Sequence, residues 1–205
     1  FLFPAHPTLL RDALWIAAIA LCYFAAARLG LMLASRPEGI APVWLPGGIF
    51  LSAILLTRRE RRPFLAAALC VTDFIAELLA GTTVMVSALY ALALATEAVL
   101  SAWLLGSFTG EPVAFRKSRD LVGFLVLSVF LSNFAMSFAA AGASRLIPGT
   151  SFWDSWLDRA SSGGIGNLVV TPLLLSWASI ARTGIGRWNA KRGIEATALF
   201  LPLVF

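Results

Sequence analysis

The chain has 205 residues, 59% of them apolar and only 13% charged, with a mean hydropathy of +0.84. Soluble domains carry about 25% charged residues, and disordered chains are poor in apolar ones, so both a soluble globule and a disordered chain are excluded. The net charge of +5 arises from 16 Lys and Arg residues clustered between apolar runs, a pattern that fits membrane topology rather than a nucleic-acid surface.

Apolar runs of about 18 residues or more are candidates for spanning helices. Six are read in chain order, near 13–34, 40–57, 63–80, 83–105, 121–143 and 160–181, and a seventh opens near Gly193 and is cut at Phe205. Pro46 and Pro172 fall inside the second and sixth, where kinks are expected because proline removes a backbone donor. The fold expected is therefore all-α, a polytopic transmembrane bundle of six complete spans plus a truncated seventh, forming one domain over 1–205. The sequence does not begin with Met and stops inside an apolar run, so it is expected to be a piece of a longer chain.

The loops set an orientation. Arg11, the cluster Arg58, Arg59, Arg61 and Arg62, then Arg116, Lys117 and Arg119, and finally Arg182, Arg187, Lys191 and Arg192 share one side. Arg36, Arg145 and Arg159 fall on the other, with Arg28 inside a helix. Positive-inside bias assigns the larger group, and the amino terminus, to the cytoplasm of a bacterial inner membrane. The 81–83 turn and a 144–159 loop then face outward. Within that loop, Phe152, Trp153 and Trp156 read as a short interfacial helix carrying an aromatic anchor. Cys22 and Cys70 fall in apolar runs and read as core or lipid-facing residues.

Ionisable and amide side chains inside spanning segments are costly, and usually face the bundle with a partner. They are Arg28 in the first span, Asp73 and Glu77 in the third, Glu97 in the fourth, and Asn133 and Asn167 in the fifth and sixth. At about 1.5 Å of rise per residue, Arg28, Asp73 and Asn167 lie roughly 10 Å below the outer surface, and Glu77 roughly 5 Å. Asp73 and Glu77 are four residues apart, so they project from one helix face. Two carboxylates there require a cation, or one must hold its proton, and Arg28 is expected to be that cation. One reading is a water-filled pocket open to the periplasm for a small polar or cationic ligand, with Trp44 as a wall and Asn167 as hydrogen-bonding partner. The other is an ion-pair network that only fixes helix packing. Trp44 also reads as an ordinary interfacial tryptophan, and Glu97 as a proton carrier or a partner for a neighbouring helix.

Soluble chemistry finds no support in the residues. His6 is the only histidine, which leaves no His-based metal cluster or catalytic triad, and no cofactor motif is present. Gly163, Gly164 and Gly166 do not follow a strand and read as a site of close helix packing. The chain as given reads as having no enzyme activity.

Several segments together resemble the first class of bacterial membrane-associated sensor (MASE) domains. They are Leu29-Gly30-Leu31, the stretch from Ala41 through Trp44-Leu45-Pro46-Gly47-Gly48 to Ile49, and the Arg-rich turn at 58–62. The likeness continues through Asp73–Gly81, Thr96-Glu97-Ala98, Ala102-Trp103-Leu104-Leu105, Phe152-Trp153, Trp156, Gly166 and Thr171-Pro172-Leu173-Leu174-Leu175. It departs at Leu45, where the family commonly has proline, and at Gly163, where an acidic residue is expected. The resemblance implies a sensory input module whose last helix leads into a cytoplasmic histidine kinase, diguanylate cyclase or phosphodiesterase. The partners expected are the lipid bilayer, a small ligand, and a second copy or a larger membrane complex, without nucleic acid. A small-solute transporter and a structural accessory subunit of a membrane complex are the competing readings. Against transport, the two halves show no internal repeat of the kind transporters carry.

Overall fold

A computed structural model describes residues 9–33, 43–110, 113, 115 and 118–183. Among them the chain forms six helices and no strand: α1 (Leu9–Leu33), α2 (Leu45–Leu56), α3 (Arg62–Leu79), α4 (Val84–Thr109), α5 (Ser118–Ser144) and α6 (Phe152–Thr183). The apolar run from Gly193, the basic residues Arg36, Arg116, Lys117, Arg187, Lys191 and Arg192, and His6 lie outside the described residues. Three helices, α1, α4 and α5, are long and apolar enough to cross a membrane, where the apolar runs suggested six.

The difference has local causes. Helix α2 has only 12 residues, about 18 Å of length, and nearly all of it from Pro46 to Leu55 is buried by α1, α3, α4 and α6. Its apolar character therefore serves the interior of the bundle. Helix α3 carries Arg62, Asp73 and Glu77 within 18 residues. Its buried positions, Leu65, Leu69, Asp73, Ala76 and Glu77, recur at helical spacing and form one stripe, so the face that buries the leucines also buries both carboxylates. The long α6 is rich in Gly, Ser and charged residues over its first half.

The expected kink at Pro46 is absent. Pro46 occupies the first turn of α2, where its missing N–H has no intrahelical acceptor to lose and its fixed φ suits the helix start. Pro172 does lie inside α6, and the helix continues through it to Thr183. Nor is 152–159 a separate interfacial helix: it forms the opening turns of α6, joined to α5 by a short turn in which Gly149 adopts a φ of 84°. Helix α2 passes to α3 through a single 3-10 turn (Arg59–Arg61), whose Arg61 pairs with Asp12 of α1. Gly81, with a φ of 95°, turns α3 into α4, a conformation that costs a residue with a side chain more than it costs glycine.

The bundle buries a polar cluster beside its apolar core and is apolar without. Asp73, Glu77, Glu97, Asn133, Asn167 and many serines are buried, whereas Leu14, Leu21, Met32, Val71, Leu92, Phe130 and Trp177 face outward. In water such an exterior would be a continuous sticky surface, but against lipid it is the favourable one. Glycines set the tightest packing. A Cβ on Gly48 of α2 would lie 2.6 Å from the Gly166 carbonyl oxygen and 2.6 Å from Val170 Cβ on α6, and one on Gly166 would strike the Trp44 carbonyl. The Trp44 N–H donates to the Ser162 carbonyl at 3.0 Å, closing the same contact. The packing role read for the 163–166 glycines is the one the structure shows.

Candidate functional site

A cavity of about 390 Å³ opens among all six helices, within the range of small-molecule sites. Each wall follows from its helix. The buried stripe of α3 delivers Asp73 and Glu77, and α4 contributes Tyr90, Leu94 and Glu97. From α5 come Asn133, Met136, Ser137, Ala140 and Ser144, and from α6 Ser155, Arg159, Ser162 and Gly163. Trp44 and Gly47, at the start of α2, and Leu31 of α1 complete the lining.

Asp73, 2% exposed, accepts a hydrogen bond at 2.7 Å from the hydroxyl of Tyr23, itself fully buried on α1 and edge-on to Phe50. Glu77 accepts from the Thr82 hydroxyl at 3.1 Å. Glu97 Oε1 accepts from Asn167 Nδ2 at 2.8 Å, a bond that joins α4 to α6 across 70 positions of sequence. Each carboxylate thus has one neutral donor, which supports a buried charge only in part.

Of the residues expected from sequence, Trp44, Asp73, Glu77 and Glu97 line one cavity, and Asn167 stands behind Glu97. Arg28 does not join them. Its guanidinium donates to the Ala76 carbonyl at 3.5 Å, and among the described residues no ion pair links it to Asp73 or Glu77. The cation that lines the same cavity as both carboxylates is Arg159, which the sequence places in an outer loop. Arg159 lies 3.7 Å from the centre of the Tyr90 ring, a cation–π contact, and the Tyr90 hydroxyl is paired with Ser144 Oγ at 2.8 Å. The usable signal was its spacing. Ser155, Arg159 and Ser162 recur at four and three residues, one face of a helix that continues to Asn167.

Three buried polar atoms at this site have no hydrogen-bond partner: Asn133 Oδ1, Asn167 Oδ1 and Arg159 Nε. Asn133 is 1% exposed and its Nδ2 donates to the Ala160 carbonyl at 2.7 Å. Its Oδ1 faces Gly163, where an added Cβ would come within 2.6 Å. Buried polar groups are nearly always satisfied, so these three atoms mark exceptions packed into the helix contacts around the cavity. Asn133 is positioned by a local widening of α5. Over Leu125–Ser132 the backbone pairs at i to i+5, and the Asn133 N–H and Ser132 Oγ reach back five residues, to the carbonyls of Ser128 and Leu127. Such insertions alter which side chains face inward and recur at functional sites.

An all-helical chain with an apolar exterior and an ionisable cavity inside is an integral membrane protein organised around a polar site. The family model MASE1 matches residues 15–205, nearly the whole chain, and the chain belongs to that family of membrane-associated sensor domains. No curated protein and no solved structure gives a significant match.

Proposed function

We propose that this chain is a sensory input domain of a bacterial inner membrane, whose cavity receives a signal from the periplasmic side and biases a cytoplasmic output. The observation that carries this reading is the cavity itself. Three carboxylates and a guanidinium from three helices line a space of about 390 Å³, in a bundle whose exterior is apolar. Residues so expensive to bury are retained in membranes mainly where they bind, move charge or switch. In this reading all six helices cross the bilayer or lie within it, with the amino terminus and the Arg58–Arg62 turn cytoplasmic and the 81–83 turn outside. The chain forms one domain and works as a homodimer or in a larger assembly.

Transduction requires two arrangements of the bundle and a ligand that binds one of them better, typically by about 1–3 kcal/mol. The contact of α2 with α6 is close and incompressible, whereas the cavity between α3, α4, α5 and α6 holds the adaptable volume. A ligand that draws Arg159 and Glu97 inward would tilt α6 against α4, and α6 is the helix that leads onward in the chain. The test is signalling by the intact protein carrying Asp73→Asn or Glu77→Gln, with membrane insertion checked by fractionation. Altered output with normal insertion is expected. Unchanged output under every tested condition removes the cavity from signal reception.

A further inference from the structure

We propose that Glu97 is a proton-binding site, whose carboxyl holds its proton in the packed bundle and closes a two-bond ring with the amide of Asn167. The ring is a latch between α4 and α6, and loss of the proton opens it. The assignment deepens the sensory reading by naming the proton as a ligand of the same cavity, and rests on that reading only for its link to output. Glu97 is 7% exposed. Among the described residues its one hydrogen bond comes from Asn167 Nδ2 at 2.8 Å, and no ion pair reaches it. An ionised carboxylate so placed would lack both a counter-charge and a full set of donors, a costly state in a bundle with an apolar exterior. A neutral carboxylic acid avoids that cost and turns one of the two oxygens into a donor.

Asn167 supplies the matching acceptor. Its side chain is 1% exposed, its Nδ2 is committed to Glu97, and its Oδ1 is sealed without a partner, with α2 so close that a Cβ on Gly47 would stand 3.3 Å away. With carboxyl and amide face to face, Nδ2–H donates to Oε1 and Oε2–H donates to Oδ1, so the proton itself satisfies the orphan atom. Glu97 is also placed for exchange, since it lines the cavity while Asn167 stands behind it. On release the Oε2–H bond breaks, its electron pair stays on the carboxylate, and the proton passes to solvent water. The bond to Oδ1 is then gone, and the charge left behind has a neutral donor. The other titratable or charged side chains facing this cavity among the described residues are Asp73 and Glu77 from α3, Tyr90 from α4 and Arg159 from α6, with none from α1, α2 or α5. The described backbones of α4 and α6 make no close approach, and the pairs Glu97 with Asn167 and Tyr90 with Arg159 bridge them. The protonation state of the first pair therefore bears directly on how the two helices are held.

The experiment follows the carboxylic-acid carbonyl stretch of the intact protein in lipid nanodiscs by infrared spectroscopy, together with its unfolding, from about pH 5 to about pH 9. Near neutral pH, wild type is expected to show an acid band that Glu97→Gln lacks. Asn167→Leu, which retains every carboxyl, should move that band to higher frequency as the acid loses its partner. Glutamine can close the same two-bond ring through its own amide, so Glu97→Gln keeps the latch shut at every pH. Relative to it, wild type should lose stability as pH rises, because the unfolded carboxyl gives up a proton that the folded one must keep. The loss reaches up to about tenfold in the folding equilibrium per pH unit, the limit for a single proton. Asp73, Glu77, Tyr90 and Arg159 are the same in both proteins, so the difference reports Glu97. An acid band unaltered by Glu97→Gln near neutral pH means that Glu97 is ionised, and overturns the proposal. A band unmoved by Asn167→Leu, or a constant offset in stability between wild type and Glu97→Gln over the whole range, overturns the latch. None of these readouts passes through signalling, so the sensory reading stands or falls separately, on the output of the Asp73 and Glu77 variants.

Discussion

Replacing Gly48 by alanine probes the contact on which the bundle is built. The new Cβ would stand 2.6 Å from both the Gly166 carbonyl oxygen and Val170 Cβ, about 1 Å inside ordinary carbon contact distances. One of these atoms is backbone and the other is the branch point of a stiff side chain, so neither can swing aside. Helices α2 and α6 must separate, which also lengthens the hydrogen bond from the Trp44 N–H to Ser162. Overpacking of this kind costs about 1–3 kcal/mol, and the better helix propensity of alanine returns up to about 1 kcal/mol. Gly142→Ala gains the same helix propensity, so measured against it Gly48→Ala should melt about 2–12 °C lower for the overpacking cost of about 1–3 kcal/mol in a chain of this size. Gly142→Ala supplies the comparison, since a Cβ there meets nothing within 4 Å and should be neutral or mildly stabilising. Melting of both variants in the same lipid-detergent mixture is the assay. Should Gly48→Ala melt together with Gly142→Ala and wild type, close approach of α2 to α6 is not what holds the bundle.

Asn167→Leu deprives Glu97 of its donor inside the bundle and should cost about 1–3 kcal/mol in an unfolding titration, whereas replacing both residues by leucine should cost less than the single change; simple addition of two losses would contradict the pairing. Orientation is open to side-specific labelling in a Cys22→Ala, Cys70→Ala background. Glu60→Cys, exposed on the α2–α3 turn, should react only from the cytoplasmic side, and Thr83→Cys, exposed at the start of α4, only from the opposite side. Labelling of both from one side would refute the alternation of helices.

The existence and order of the helices were legible because apolar runs separated by charged or glycine-bearing turns leave little else for the chain to do in lipid. What each run faces was less so. Leu45–Leu56 is as apolar as a lipid-facing helix, and nothing in its composition reveals that neighbours cover it on every side. Asp73, Glu77, Glu97 and Trp44 were found because a costly residue in an apolar run is conspicuous. Arg159 escaped for the opposite reason, as it closes an aromatic segment with Asp154 and Asp158 that reads as a short interfacial helix of an outer loop, and it reaches the cavity only because α6 begins earlier than hydropathy suggests. The bond from Asn167 to Glu97 and the contact of Gly48 with Gly166 join distant parts of the chain, and no local pattern encodes them. The family likeness ran the length of the sequence, yet it could not say which cation faces the carboxylates.

The widened stretch at Leu125–Ser132 gives α5 two phases. Its first half presents Phe124 to the apolar core, and its second half presents Asn133, Ser137 and Ser144 to the interior. Each residue of an α-helix turns the chain by about 100°, so one residue absorbed or released within the wide turns would rotate one half against the other by that angle. The rod is therefore jointed near its middle. Twist applied at one end can be taken up at that joint, as in a coupling between two shafts, with the amide of Asn133 standing where the shafts meet.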